Sequence, residues 1–184
     1  AEEIAAGATQ FKCAPPIREK ANRELLWKGL EAGILGMIVS DHSPCEPALK
    51  KLELGSFLEA WGGIASLQFS LSAAWTGMRE RGLGLERVAA WLCEAPAALA
   101  GLALKGRIAP GMDADLVAFE PDAEFQLEPA SVLHRHPLTP YVGRKLRGKV
   151  SRVWLRGAEA FAEGKFSKAA GTRQARAKSA KVAV

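Results

Sequence analysis

The apolar positions in the first part of the chain alternate between strand-like runs and helical spacing. Residues 10–14 form a short strand-like run that two prolines close, because proline cannot continue a hydrogen-bonded ladder. In residues 19–32 apolar side chains recur near helical spacing, and Gly33 is suited to end that helix. Residues 34–40 are a nearly continuous apolar run, which is typical of a strand buried on both faces of a parallel sheet.

Helices dominate the stretch that follows. We predict a short helix at 47–54, a longer one at 64–81, and a pair at 85–92 and 97–102, with Pro96 suited to the first turn of the last. Buried strands that alternate with helices predict an α/β fold, in which right-handed crossovers build a layered or barrel architecture.

The pattern changes near Lys105, after which short strands separated by turns replace the helices. The predicted strands are residues 106–108, 114–120, 124–127, 149–156 and 158–161, with Pro121-Asp122 separating the second from the third. We therefore expect one domain at residues 1–104 and a small antiparallel β domain at 105–164. Residues 165–184 have almost no apolar periodicity, so we expect a basic, disordered tail there.

Composition and charge narrow the classes of protein. Of the 184 residues, 48% are hydrophobic and 24% charged, which excludes collagen-like and low-complexity chains. The net charge is +5, from 25 Lys and Arg against 20 Asp and Glu. Six basic and no acidic residues lie in 165–184, so the other 164 residues carry 19 basic and 20 acidic side chains, a net −1. The charge therefore indicates neither a nucleic-acid nor a membrane partner.

The cysteines and the apolar runs indicate the compartment. Cys13, Cys45 and Cys93 fit neither a paired zinc motif nor a disulfide framework, which is typical of reduced thiols. The longest apolar run is far shorter than a membrane span, and the first residues lack the pattern of a signal peptide. We expect a cytoplasmic protein.

Asp41 is the strongest candidate for chemistry. It follows the apolar run 34–40, and α/β folds place their sites at the carboxyl ends of buried strands. A carboxylate there can bind a divalent metal or accept a proton from metal-bound water, although a turn or helix-cap role also fits Asp before Ser43-Pro44. His42 points the opposite way on an extended segment, so we expect it to support the site or contact substrate.

Two further motifs each leave alternatives open. His134 and His136 have a spacing that puts two imidazoles on one face of a strand, as in a zinc pair. However, a proline follows and no third ligand is near, which favours hydrogen bonding in a loop. Gly62 and Gly63 follow a tryptophan, and glycines either let a backbone approach a ligand closely or form a tight entry into a helix.

Taken in order, five segments resemble the C-terminal part of allantoinases, cyclic-amide hydrolases of the amidohydrolase superfamily. They are residues 11–19 (FKCAPPIRE), 40–44 (SDHSP), 60–68 (AWGGIASLQ), 111–117 (GMDADLV) and 134–141 (HRHPLTPY). The second and fourth segments are shared by much of the superfamily, including dihydroorotases and hydantoinases. The first and third are more specific to allantoinases.

The resemblance implies a C-terminal portion of a (β/α)8 barrel, with part of a small β-sandwich beside it. Residues 10–14 and 34–40 would be the seventh and eighth barrel strands. Asp41 would ligate one of two divalent metal ions (zinc, or cobalt or manganese) and act as general base and acid. Cys13 and Ala14, with His42, Gly62 and Gly63, would line the substrate pocket. Ala14 stands where several relatives have serine, so that only main-chain contact is expected there.

The resemblance also implies that part of the site lies outside this sequence. The first-strand histidine pair, the bridging carboxylated lysine and two further histidines belong to earlier strands, and a whole barrel takes about 250 residues. We expect an inactive, poorly soluble C-terminal fragment of an enzyme that opens allantoin to allantoate and acts as a homotetramer on a small cyclic ureide. A hydantoin, a dihydropyrimidine or dihydroorotate as substrate is the alternative. A non-enzymatic structural or interaction protein is a second alternative, against which the retention of Asp41 argues.

Overall fold

The structure, a computed structural model, describes residues 1–167 and divides the chain into two compact units. The first unit comprises Ala1–Ser70 and Gln126–Lys145, and the second comprises Leu71–Phe125 and the described residues from Leu146 onward. From residue 168 on, the tail expected at 165–184 lies outside the described residues. Each unit therefore combines an early and a late stretch of the chain. The expected domains, 1–104 and 105–164, are each continuous in sequence, unlike these two units. They stay a prediction about domain organisation.

Helix α1 (Lys20–Glu31) of the first unit confirms the helix predicted at 19–32. The carboxylate of Glu2 accepts the backbone N–H of Lys20 at 3.0 Å, which satisfies a donor in the first turn that has no partner within the helix. After the helix, Gly33 takes φ +73°, a left-handed conformation that glycine adopts without the steric cost of a Cβ. The helix ends where the sequence predicts it to end.

The two strands predicted in this unit are wrong for this structure. Thr9–Phe11 is a 3-10 helix, and residues 34–40 join no ladder. Ile34 is 81% exposed and Val39 67% exposed, rather than buried between neighbours. A parallel strand exists only where adjacent strands supply hydrogen bonds, and within residues 1–167 no strand lies beside this run.

The remaining regular elements of the first unit are short 3-10 helices. Pro47–Lys50 occupies the start of the helix predicted at 47–54, and the others are Leu67–Phe69 and Pro129–Ser131. The Gln68 side chain connects the last two, because its Nε2 donates to the Ser131 carbonyl at 2.7 Å and its Oε1 accepts the Leu133 N–H at 2.8 Å. These bonds explain why residues of the expected second domain pack in the first unit.

The second unit begins with helices. Helix α2 (Ser70–Arg79) confirms the long helix predicted at 64–81, with a later start. The predicted helix pair is one uninterrupted helical stretch, formed by α3 (Leu85–Val88), a π-helical turn (Ala89–Glu94) and α4 (Ala95–Leu99). Pro96 lies in the first turn of α4, which directly follows the π-helical turn. The regular i→i−4 bonding is already altered at such a turn, so the proline is compatible with this place in the helical stretch.

A four-stranded sheet follows, in the order β1-β2-β3-β4. The strands are β1 (Leu116–Gln126), β2 (Lys145–Leu155), β3 (Ala158–Ala162) and β4 (Lys165–Phe166). β2–β3 and β3–β4 are antiparallel, with Leu155 opposite Ala158, which confirms the predicted hairpin. The predicted strand at 106–108 is absent from the described residues, and the predicted break at Pro121-Asp122 is wrong because β1 runs through it.

The core of the second unit lies between α2 and this sheet. Trp75 is 2% exposed and Met78 fully buried, and the Trp75 ring contacts Phe119 of β1 at 6.1 Å between centroids. The Trp75 Nε1–H donates to the carbonyl oxygen of Pro121 at 2.8 Å, so the proline in β1 has a structural partner. None of the helices in the described part of the chain combines the length and apolar character needed to cross a membrane.

Candidate active site

The candidate site is built from three segments of the first unit, residues 12–14, 41–43 and 61–64. Backbone hydrogen bonds connect them: Gly63 N–H donates to the Lys12 carbonyl at 3.1 Å, and Ser43 N–H donates to the Ile64 carbonyl at 3.0 Å. A parallel β-bridge between residues 42 and 64 lies beside the second bond. The structure therefore brings together residues that the sequence motifs single out separately.

The glycine pair is required by close approach. A Cβ built on Gly63 would lie 2.5 Å from Ser43 Oγ and 2.7 Å from the Ser43 carbonyl oxygen, so no side chain fits there. A Cβ on Gly62 would lie 3.6 Å from the Cβ of Ala14, which is ordinary van der Waals contact. Of the two glycines, Gly63 is the one that the packing of the three segments demands.

Asp41 lies at this meeting point with an exposed side chain. Its negative charge contributes to the raised pKa of the Cys13 thiol in the neighbouring segment. The carboxylate is therefore accessible to a ligand from solvent. This exposure suits a group that exchanges protons with a bound ligand.

Cys13 is a poor nucleophile in this setting. Burial raises the pKa of its thiol, and the negative charge of Asp41 adds to this, while a hydrogen bond from the Ile17 backbone and the Lys50 ammonium act in the opposite direction. A thiol with a raised pKa stays protonated near neutral pH, and the thiolate is the reactive form. What Cys13 and Ala14 offer a ligand is therefore their peptide groups.

His42 is held by its ring nitrogen. Its Nδ1 accepts the backbone N–H of Ser66 at 3.0 Å and that of Leu67 at 3.1 Å, where the 3-10 helix Leu67–Phe69 begins. Both bonds require an unprotonated Nδ1, so any proton on a neutral ring is at Nε2. The arrangement suits the supporting role that the sequence allows for His42.

His134 lies beside His42 rather than in a metal site. The two rings meet edge-on with centroids 5.6 Å apart, and Phe69 contacts the other side of His134 at 6.0 Å. Both ring nitrogens of His134 are buried without a hydrogen-bond partner among the described residues. Burial lowers the pKa of His134, with smaller effects from His42 and His136. The hydrogen bonding expected for His134 in a loop is therefore wrong.

Lys50 is a member of the site that the sequence motifs do not identify. It is 4% exposed, and its Nζ donates to the carbonyl oxygens of Lys12, Trp61 and Gly63. A lysine pair, Lys50-Lys51, at the end of a short helix gives no signal in the sequence that one member is buried and the other exposed. Its position depends on contacts with segments 11 to 38 residues away.

The described residues do not form a metal site of their own. Among residues 1–167, no group of three or more His, Cys, Asp or Glu side chains is placed to hold a metal ion. Asp41 supplies a single carboxylate, and His134 and His136 are not joined to it in such a group. A metal centre that includes Asp41 would need ligands from elsewhere.

Comparison with known sequences gives one consistent result. The sequence profile of the amidohydrolase family matches residues 13–160. The chain is 49% identical to allantoinase from Arabidopsis thaliana over 169 residues, which cover 91% of this chain and 33% of that protein. It is 47% identical to allantoinase from Streptomyces avermitilis over 171 residues, or 93% of this chain and 38% of that protein. The chain spans about a third of the length of these curated relatives.

Solved structures give the same picture at lower identity. The L-hydantoinase (dihydropyrimidinase) from Arthrobacter aurescens matches with a TM-score of 0.81 and 29% identity, covering 91% of this chain and 37% of that one. The D-hydantoinase (dihydropyrimidinase) from Thermus sp. matches with a TM-score of 0.77 and 28% identity, covering 90% and 37%. The α/β architecture with an antiparallel sheet is therefore that of amidohydrolase-fold proteins.

Proposed function

Because the chain belongs to the amidohydrolase family, we propose that it is the C-terminal portion of an enzyme that hydrolyses allantoin to allantoate. The observation that carries the proposal is the meeting of segments 12–14, 41–43 and 61–64. The first and third lie in the motifs more specific to allantoinases, and the second lies in a motif shared by much of the superfamily. The relatives named allantoinase, at 47–49% identity, support this substrate over others. Allantoin is a small cyclic ureide, so the partner is a small molecule.

Asp41 is the proposed catalytic residue. Its exposed carboxylate acts first as a general base, which takes the proton of the attacking water. It then acts as a general acid, which delivers a proton to the ring nitrogen that leaves. It is also the proposed metal ligand of this chain. The family generally depends on divalent metal ions, which polarise a carbonyl and lower the pKa of bound water.

The proposed substrate contacts are Cys13, Ala14, His42, Gly62 and Gly63. Ala14 has no hydroxyl and the glycines have no side chains, so these positions offer peptide N–H and carbonyl groups. A cyclic ureide carries N–H donors and carbonyl acceptors around its ring, and such groups pair well with a fixed backbone. His42 supports the pocket because its ring is anchored to the 66–67 backbone.

The finer architecture is part of the same proposal. The chain contributes the C-terminal portion of a (β/α)8 barrel, and the rest of the protein completes that barrel. Residues 1–104 then belong to the barrel and 105–164 to a β-sandwich. The proposal includes two metal ions (zinc, or cobalt or manganese) and a bridging carboxylated lysine outside this chain. It also includes a homotetrameric enzyme in the cytoplasm.

The hydantoinase structures support one second candidate, a hydantoin or dihydropyrimidine as the ring that is opened. The experiment is turnover by the full-length protein supplied with zinc, cobalt or manganese, on allantoin, a 5-substituted hydantoin, a dihydropyrimidine and dihydroorotate. We expect allantoin to be opened fastest. Preference for another ring would favour the second candidate, and no turnover of any ring would favour a non-enzymatic relative.

Two variants make this assay specific to the proposed chemistry. Asp41→Asn keeps the size of the side chain but cannot accept the proton, so kcat should fall by about 10²–10⁴-fold. Glu53→Gln makes the same carboxylate-to-amide change at another exposed position and should leave kcat unchanged. Full activity of the Asp41 variant would refute its catalytic role.

A further inference from the structure

Lys50 is a charged side chain in a place where charged side chains are rare. It ends the 3-10 helix Pro47–Lys50 and is 4% exposed, whereas its neighbour Lys51 is exposed. Lysine is almost never fully buried unless its ammonium is paired or hydrogen-bonded. The burial of Lys50 therefore calls for a compensating set of acceptors.

Three backbone carbonyls provide that set. The Lys50 Nζ lies 2.8 Å from the Lys12 oxygen and 3.1 Å from the Trp61 oxygen, and it also donates to the Gly63 oxygen. An ammonium has three protons, so these bonds use its whole donor capacity. Burial lowers the pKa of Lys50. No donor is left over for a ligand, so Lys50 acts through the backbone it holds.

The carbonyls that Lys50 binds bracket the proposed substrate contacts. The Lys12 oxygen directly precedes Cys13-Ala14, and the Trp61 and Gly63 oxygens flank the Gly62-Gly63 peptide. The Lys12 oxygen also accepts the Gly63 N–H, so the ammonium binds the same carbonyl through which the backbones of these two segments are joined. A peptide group cannot change its orientation by rotating a side chain. Its orientation towards a ligand therefore depends on the contacts that fix the backbone.

We propose that Lys50 is a positioning residue for substrate recognition, whose ammonium sets the distance between segments 12–14 and 61–64. This inference rests on the proposed function, because it takes those peptide groups as the substrate contacts. Lys50 does not touch substrate. Its loss is expected to weaken binding of the ring more than it slows the chemical step at Asp41.

The test uses the full-length protein with Lys50→Met, which keeps the length and apolar stem of the side chain but has no donor. Lys51→Met removes the same charge from the adjacent, exposed position and is the matched control. For Lys50→Met we expect KM for the cyclic amide to rise at least about tenfold with kcat changed by less than about threefold. Metal content should equal that of the wild type, and Lys51→Met should match the wild type throughout.

Hydrogen–deuterium exchange provides a readout that needs no substrate. In Lys50→Met, peptides that cover residues 12–14 and 61–64 should exchange faster, while helix α1 should be unchanged. This comparison separates the two proposals, because it tests Lys50 even if the wild-type protein opens no ring. Lys50→Arg, which restores a cation with N–H donors, should bring both KM and exchange back towards the wild-type values.

Three results would overturn the inference. The first is an unchanged KM and unchanged exchange in Lys50→Met. The second is a lower melting temperature with a normal KM for the folded enzyme, which would make Lys50 merely structural. The third is an equal KM increase in Lys51→Met, which would mean that loss of one positive charge, and not loss of the buried hydrogen bonds, raises KM. If Lys50→Met does not fold, Lys50→Gln is measured in the same way, and unchanged KM and exchange there overturn the inference as well.

Discussion

Gly63 marks the tightest backbone contact of the candidate site. Its neighbour Ser43 leaves no room for a Cβ, whereas Gly36 in the same unit has nothing within 4 Å of the position where a Cβ would be. Neither glycine has a positive φ, so the two differ in space and not in backbone strain. They form a matched pair for measuring what close packing of the three segments contributes.

We expect Gly63→Ala to lower the free energy of unfolding of the full-length protein by about 1–3 kcal/mol, the usual cost of overpacking. The same variant should raise KM, because the 61–64 segment has to move away from Ser43. Gly36→Ala should change neither value. Denaturant unfolding and steady-state kinetics measure both, and equal behaviour of the two variants would show that the close contact has no consequence.

We expect the stability of the protein to depend on pH through His134. Burial, with smaller effects of His42 and His136, keeps its pKa below the ordinary histidine value. As pH falls through that ordinary value, the unfolded chain takes up a proton that the folded protein does not, so the free energy of unfolding decreases. The free energy of unfolding is therefore highest, as far as His134 is concerned, at neutral to basic pH, and it decreases under acid conditions.

His134→Phe should remove this dependence, because phenylalanine keeps the ring contacts with His42 and Phe69 and carries no unpartnered nitrogen. We expect its urea midpoint to change less than that of the wild type between about pH 8 and about pH 5.5. His136→Phe leaves in place His134 and its burial, which is the largest cause of the lowered pKa, so this variant should retain the dependence. Identical pH profiles for all three proteins would assign the effect to other groups.

At the level of elements, helix α2 and the sheet of the second unit depend on one glycine. Gly148 in β2 has φ +87°, and a Cβ there would collide with the rings of Trp75 and Phe119. Ser72 Oγ also donates to the Gly148 carbonyl at 2.6 Å, so helix and strand are in contact at this point. The small residue permits the close approach, and the aromatic pair then fills the core.

Gly148→Ala should lower the free energy of unfolding by more than Gly164→Ala does. Gly164 has a similar φ of +82° but nothing within 4 Å of a Cβ, so both variants carry the same backbone strain and only one carries the collision. The difference between them should be about 1–3 kcal/mol. Thermal or denaturant unfolding measures it, and equal losses would mean that the rings move aside at no cost.

For the whole molecule, the exposed apolar side chains are the main feature of this chain when taken alone. Leu58 is 94% exposed and Ile34 81% exposed in the first unit, and Ile108 is 88% exposed in the second. Further large apolar side chains are exposed together within one short stretch of the first unit, which contains Leu52, Leu54, Phe57 and Leu58. Large apolar side chains that are exposed side by side favour association. The chain also spans about a third of the length of its curated relatives.

We therefore expect the 184-residue chain on its own to form heterogeneous aggregates and to open no allantoin. We expect the full-length protein to form the single, defined homotetramer proposed above and to open allantoin. Sedimentation velocity and a turnover assay on the two proteins, expressed in the same way, test this expectation. A monomeric 184-residue chain with a cooperative thermal melt would contradict the first part. Measurable ring opening by that chain would contradict the second.

Local patterns in the sequence are enough to identify several elements and the family. Helix α1 with Gly33 at its end, helix α2 and the β2–β3 hairpin follow from short-range spacing and turn residues, and the structure confirms them. The motifs around Cys13, Asp41 and Gly62 identify the amidohydrolase relationship without any knowledge of their positions in space. Such features depend on residues within a few positions of one another.

Long-range contacts decided the rest. The apolar run 34–40 has the composition of a buried strand, but a strand needs neighbours, and no local pattern states which chain supplies them. Lys50 is buried because the carbonyls of residues 12, 61 and 63 converge on its ammonium. The tight contact at Gly63 arises because Ser43, 20 residues earlier in the chain, lies against it. Whether such a site forms depends on how segments far apart in the chain pack against one another. The sequence of a single segment does not specify this packing.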